Sequence, residues 1–235
     1  MPHMYGSWVL FVLILISSLP VIAVYVWFRL AKYQFSLVRF LFALIVGAAA
    51  FFPALILQRY LAFTLPPGRA ALFFHFFVRI AFTEELSRLL MLFLFFFIIN
   101  RVKPNENSAQ PLSFNVMKRG TAIGLVAGLG FSILENAVYA ASDTGVLFLR
   151  IFTAALHGAC GSRIGAAAVM FRTNPAQALF RVLTATAIHG VYNFMVAIPG
   201  LPSIAAVLVA VSALITSILT IRGGWTSNEN PNTVT

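Results

Sequence analysis

Long apolar runs separated by short polar stretches dominate the chain. Seven runs are each long enough to form a helix that crosses a bilayer. They cover residues 8–28, 37–57, 70–99, 116–140, 147–171, 176–198 and 204–221. The run at 70–99 has 30 residues, so it predicts either a long tilted helix or a short interfacial piece before its polar centre. The pattern predicts an all-α polytopic membrane protein, with about seven transmembrane helices in a single bundle.

Composition agrees with the apolar pattern. The chain has 235 residues, of which 60% are hydrophobic and 9% charged, and its mean hydropathy is +0.93. These values exclude a soluble globular domain of this size. We expect residues 1–225 to form one transmembrane helical domain, and the polar residues 226–235 to be a disordered tail.

The basic residues predict a topology and a membrane. The formal net charge is +10, but most Lys and Arg residues flank the apolar runs, which argues against a nucleic-acid partner and for contact with lipid headgroups. With the N-terminus outside, ten Lys and Arg residues fall on the inner side and three on the outer side. The positive-inside rule therefore predicts an integral protein of the plasma (inner) membrane, with the N-terminus outside and the C-terminus in the cytoplasm.

Two adjacent carboxylates lie inside the third apolar run. Glu84 and Glu85 are followed by Arg88, which on a helix is four residues after one and three after the other and can reach either. A charged side chain at the centre of a bilayer costs about 2.5–3.5 kcal/mol even on the most lenient scale. Intramembrane acids at that cost indicate a functional site, here half of a catalytic centre.

Three later runs each contain a further polar group of the same kind. Glu135 and His157 follow or precede small residues spaced four apart, and His189 is followed one turn later by Asn193. Glu135 fits a structural carboxylate as well as a catalytic one. The small-residue stripes consist of Gly120, Gly124, Gly128 and Ser132 in one run and Gly161 and Gly165 in the next.

These side chains have the parts of a peptidase. A buried carboxylate can act as a general base on water, an imidazole can orient that water or bind a metal, and a second imidazole with an amide can donate to an oxyanion. The chain has no His-Glu-x-x-His or Gly-x-Ser-x-Gly run, so a zinc site would take ligands from several helices and a serine hydrolase is disfavoured. A transporter or proton-relay channel, and a catalytically silent membrane scaffold, are the alternatives. Arg79 and Arg163 lie within runs and either pair with the acids or extend to an interface.

At these residues the chain resembles the PrsW family of intramembrane proteases, within a wider group that includes the CAAX prenyl endopeptidases and CPBP proteins. Arg88 stands where PrsW proteins usually carry Lys. The resemblance rests on four motifs in order, which are FTEELSR at 82–88, GLGFSILEN at 128–136, LHG at 156–158 and IHGVYN at 188–193.

The resemblance implies cleavage of a membrane-anchored protein, such as an anti-sigma factor, near the outer membrane face. By analogy with the prenyl endopeptidases, Glu84 and His157 would activate water, and His189 with Asn193 would form the oxyanion hole. From the residues themselves we also count Glu85 as catalytic, either as a second acid or as the partner of Arg88. Arg88, Glu135 and Asn136 are the predicted supporting residues.

Metal dependence is left open by the sequence. If the enzyme uses zinc, the candidate ligands are His157, His189, Glu84 and Glu135, with water at an open position. The spacing of His189 and Asn193 instead favours a metal-free site, because Asn is an ordinary hydrogen-bond donor and a rare zinc ligand. From the sequence we therefore prefer the metal-free mechanism.

Overall fold

The computed structural model is all-helical in the part of the chain that it describes, which is residues 3–33, 35–62, 68–102, 114–140, 149–197 and 203–222. The predicted tail at 226–235 lies outside these residues. The helices are α1 (His3–Leu30), α2 (Leu37–Ala49), α3 (Phe51–Tyr60), α4 (Arg69–Phe73), a π-helix (Phe74–Phe82), α5 (Thr83–Val102), α6 (Phe114–Ala140), α7 (Leu149–Met170), α8 (Pro175–Ala197) and α9 (Ser203–Arg222).

These helices form seven continuous segments within the described residues, because α2 adjoins α3 and the π-helix joins α4 to α5. The boundary at Ala50 has a local cause, since Pro53 lacks the N–H that would bond to the carbonyl of Ala49. Three stretches are individually long and apolar enough to cross a membrane, namely Leu37–Tyr60, Val116–Val138 and Ile204–Arg222. The protein is an all-α, polytopic integral membrane protein, as the apolar pattern predicted.

The third apolar run forms one continuous helical segment that changes its winding in the middle. Its π-helix ends at Phe82, directly before the two glutamates of α5. The Thr83 hydroxyl donates to the carbonyl oxygens of Arg79 (2.7 Å) and Ile80 (3.0 Å), where the ordinary helical ladder is interrupted. π-Helical turns within α-helices are frequently found at functional sites. Here the change of winding sets the rotation at which the glutamates enter the bundle.

The most extensive contact between two of the described helices joins α6 to α7, and glycines line it. A Cβ atom placed on Gly124 would overlap the carbonyl oxygen of Gly161, and one placed on Gly161 would overlap that of Gly124. The two backbones therefore meet without intervening side chains. Because α7 also packs against α5, α8 and α9, it is the central helix of the bundle, and the α6 contact fixes its position.

A tight turn makes α7 and α8 antiparallel neighbours. The backbone N–H of Asn174 donates to the carbonyl of Met170 (2.8 Å), and the Asn174 side chain accepts from the N–H of Gln177 (3.1 Å), which caps the start of α8. His157 is eight residues after the start of α7, and His189 is eight residues before the end of α8. At 1.5 Å per residue both lie about 12 Å from the same end of the bundle.

Candidate active site

Arg88 is the fully buried centre of the polar cluster on α5. Its Nη2 atom donates to Glu85 Oε1 at 2.6 Å and lies 3.8 Å from Glu84 Oε2. The guanidinium also stacks on the Phe131 ring, 4.6 Å from the ring centroid. Removing one partner from a buried ion pair leaves an uncompensated charge. The site therefore depends on Arg88 and both glutamates together.

His189 reaches the same two glutamates from α8. Its Nδ1 is 2.8 Å from Glu85 Oε1, and its Nε2 is 3.7 Å from Glu84 Oε2. Arg88 Nη2 is 3.5 Å from the same Nδ1, so the shorter contact is the one with the carboxylate. In this arrangement Nδ1 carries the proton and donates to Glu85, which leaves a lone pair on Nε2 in the neutral ring.

His157 on α7 is held in the same way by a carboxylate of α6. Its Nε2 is 2.5 Å from Glu135 Oε2, and its backbone carbonyl accepts a hydrogen bond from Arg88 Nη1 at 3.4 Å. The other ring nitrogen, Nδ1, is buried and has no hydrogen-bond partner among the described residues. The ring stands perpendicular to that of His189, with the two centroids 5.0 Å apart.

Three side chains of this cluster converge on one place. Glu84, His157 and His189 each offer a ligand-type atom, and these atoms lie within 4.8 Å of one another. Glu84 Oε2 is buried and, like His157 Nδ1, makes no hydrogen bond to the part of the chain that the structure describes. One carboxylate and two imidazoles, each imidazole held by an outer carboxylate, is the donor set of a zinc site with its supporting hydrogen bonds. The residues present therefore fit a metal ion.

Comparison with known proteins agrees with this geometry. A family model described as "PrsW family intramembrane metalloprotease" matches residues 36–219, which is 184 of the chain's 235 residues. The chain belongs to the PrsW family. It is an intramembrane protease, and the resemblance seen in the four sequence motifs is confirmed. No curated protein and no solved structure matches the chain.

The structure of this PrsW-family chain does not draw every predicted site residue into the cluster. Asn193 is half-buried on α8 and makes no hydrogen bond to a described residue. The Asn136 side chain donates to Ser132 Oγ of its own helix at 3.4 Å. Glu135, a candidate ligand by sequence, is instead the hydrogen-bond partner of His157.

Sequence reasoning missed one residue of the PrsW site. The side chain of Gln58 on α3 donates from Nε2 to Glu84 Oε1 at 3.0 Å. The backbone carbonyl oxygen of Gln58 accepts from Arg79 Nε at 3.1 Å. The Gln58 bond leaves Oε2 as the Glu84 oxygen that lies 3.7 Å from His189 Nε2. An amide just past the end of an apolar run gives no signal in the sequence, since such positions are ordinarily polar.

Proposed function

We propose that this chain hydrolyses a peptide bond of a membrane-anchored protein at Glu84, His157 and His189. The observation that carries the proposal is the convergence of three buried ligand-type atoms within 4.8 Å. Glu85 and Glu135 hold the far nitrogens of the two histidines at 2.8 Å and 2.5 Å. Such carboxylate–histidine pairs fix the ring orientation and raise the basicity of the other nitrogen.

In this proposal the three residues hold a zinc-like metal ion. When bound, the ion would polarise the scissile carbonyl and lower the pKa of a bound water to about 7. Gln58 keeps one oxygen of Glu84 occupied and the other directed at the histidines. Arg88 balances the charge of the two glutamates, and the burial of all these side chains limits the access of bulk water.

The metal-free alternative makes a different demand on His189. An oxyanion donor needs an N–H that faces the substrate. The neutral ring already gives its Nδ1 proton to Glu85, so its Nε2 has a lone pair and no proton. The hydrogen bonds therefore lead us to prefer the metal-dependent reaction over the metal-free one that the sequence favoured. Asn193 remains the proposed oxyanion donor, because its amide lies one turn after His189 and makes no hydrogen bond to a described residue.

We further propose that the chain lies in the plasma (inner) membrane with its N-terminus outside. In that orientation the start of α7 and the end of α8 face outward, and the site lies about 12 Å below that end of the bundle. A substrate such as an anti-sigma factor would be cut near its outer membrane boundary. Reporter fusions after Lys103 and after Asp143 test the orientation. They should report opposite sides, and the same side for both would exclude it.

The activity is tested with purified protein in detergent and a tagged single-span substrate. The wild type should release a fragment, and Glu84→Gln should release none while still binding the substrate. Binding without cleavage by the wild type would support the scaffold alternative. Proton flux across vesicles without cleavage would support the transport alternative.

A further inference from the structure

A second polar cluster lies on the other side of the histidines, towards the end of α7 and the start of α8. It is a partly open cavity of about 80 Å³ between α6, α7, α8 and α9, several times the roughly 10–15 Å³ that one water molecule occupies. Arg163 of α7 and Arg181 of α8 line it, with hydroxyl groups between them. The hydroxyl side chains used below are Thr121, Ser162, Thr216 and Ser217.

Arg163 is held firmly in this cavity by uncharged groups. Its Nη1 donates to the carbonyl oxygen of Ala159 (2.8 Å) and to Ser217 Oγ (3.1 Å), and its Nη2 donates to Thr216 Oγ1 (2.8 Å). Ser217 Oγ also accepts from Ser162 at 2.6 Å. These bonds orient the guanidinium without neutralising its charge.

Arg181 is less well satisfied. Within the described residues its Nε is buried without a hydrogen-bond partner, and its Nη2 has a weak contact with Met117 Sδ at 3.5 Å. Neither Arg181 nor Arg163 forms an ion pair with a carboxylate of the described residues. Two guanidiniums therefore line one cavity with N–H groups still available and no anion beside them.

We propose that this cavity binds the phosphate group of an anionic ligand. Guanidinium groups are suited to phosphate because their N–H groups match its oxygens. Thr121 and Ser217 add buried hydroxyl groups to the lining. Arg163 and Arg181 lie about 10 Å and 9 Å from the helix ends at their side of the bundle, within reach of the headgroup region. Either a lipid headgroup or a free phosphate can supply this chemistry.

The test measures ligand binding by the full chain in a neutral detergent. The probes are short-chain phosphatidylglycerol, short-chain phosphatidylcholine and inorganic phosphate, and the readouts are bound lipid by native mass spectrometry and the shift in Tm. Phosphatidylglycerol should bind and raise Tm, and phosphatidylcholine should do neither. An equal effect of inorganic phosphate would identify a free anion as the ligand, and its absence would identify the lipid. If neither phosphatidylglycerol nor inorganic phosphate binds, the proposal is overturned.

The matched variants are Arg181→Gln and Arg172→Gln. Both remove one positive charge, but Arg172 is exposed in the turn between α7 and α8 and does not line the cavity. Arg181→Gln should weaken binding about tenfold or more, as expected for one lost charge-assisted hydrogen bond, and Arg181→Lys should weaken it less. Arg172→Gln should bind as the wild type does. Equal losses in the two Gln variants would mean that general surface charge, and not the cavity, holds the lipid.

A carboxylate of the chain itself is the competing occupant. Glu106 and Glu229 lie outside the described residues, so each is replaced by Gln. These variants should bind phosphatidylglycerol with the affinity of the wild type. Tighter binding by either variant would show that the chain fills its own cavity and would overturn the proposal.

Discussion

Arg88 packs against α7 and Arg163 lies on it, and the two guanidinium charges are compensated in opposite ways. Near His157, Arg88 is paired with two carboxylates, one of them at 2.6 Å. Two turns later on α7, Arg163 is bonded to backbone carbonyls and hydroxyls, with no carboxylate of the described residues in an ion pair with it. A charge removed from water needs compensation. The groups around Arg88 supply it as opposite charge, and the groups around Arg163 supply it as neutral dipoles.

This difference separates what each cluster can do. In the Arg88 cluster the carboxylates neutralise the guanidinium and bind one nitrogen of each histidine. Glu84, His157 and His189 still offer ligand atoms within 4.8 Å of one another, which suits a cation. In the Arg163 cluster the positive charge is not neutralised by a carboxylate of the described residues, which suits an anion. The kind of compensation thus determines the kind of ligand that each buried cluster can accept.

The largest expected effect is in the cluster of Arg88 and its two glutamates. Glu84→Gln keeps the size of the side chain but removes the charge that would hold a cation, so proteolysis should fall by about 10²-fold or more, since a metal acting as a Lewis acid contributes several kcal/mol. Arg172→Gln is the control, since it changes charge at an exposed turn outside both clusters. The measurement is cleavage of the tagged substrate, with circular dichroism to check folding. Wild-type turnover by a folded Glu84→Gln protein would break the comparison.

The outer carboxylates should have a smaller effect than Glu84. Glu85→Gln and Glu135→Gln each leave a histidine without its charged partner, and such changes typically lower metal affinity by about 10–100-fold. Affinity is measured by competition with a chelator of known strength. Both variants should weaken binding, and an unchanged affinity in either would mean that its histidine does not bind the metal.

Gly161 lies on α7 between His157 and Arg163, and we expect its substitution to affect both polar clusters. Gly161→Ala places a Cβ onto the backbone of Gly124, whereas Gly158→Ala meets only the side chain of Leu129 at 3.3 Å. Overpacking of this kind costs about 1–3 kcal/mol. Gly161→Ala should therefore lower Tm clearly more than Gly158→Ala does. Equal Tm values would mean that the α6 contact does not fix the position of α7.

Gln58 should produce the smallest change. Gln58→Met keeps the length of the side chain but removes the N–H that bonds to Glu84, and one such half-buried hydrogen bond contributes about 0.5–1.5 kcal/mol. We expect kcat to fall about 3- to 10-fold with little change in KM, because Gln58 orients Glu84 and does not touch the substrate. A raised KM with unchanged kcat would place Gln58 in substrate binding instead.

The sequence predicted what depends on neighbours within one helix. The apolar runs match the helices closely, and the spacing of Glu84, Glu85 and Arg88 gave their mutual contact. Contacts between helices depend on how far each helix is rotated and shifted along its axis, which the apolar pattern does not specify. The bond from Glu135 to His157 and the bond from Gln58 to Glu84 are both of that kind.

The contacts of Arg163 with α9 could not be predicted from the sequence either. The sequence left it either paired with the acids or extended to an interface. In the structure it forms no ion pair with the acids of the described residues, because the carbonyl and hydroxyl groups of α7 and α9 bind its guanidinium. The π-helix was equally out of reach, since no residue type in 74–82 marks a change of winding in advance.

The metal content of the purified protein tests the central claim most directly. If Glu84, His157 and His189 hold a metal, the wild type purified without chelator should contain about one equivalent of metal per chain by elemental analysis. Glu84→Gln and His189→Ala should each lose most of it while remaining folded, and Asn193→Ala should retain it. Active wild-type protein without metal, or a His189→Ala protein that keeps a full equivalent, would contradict the account.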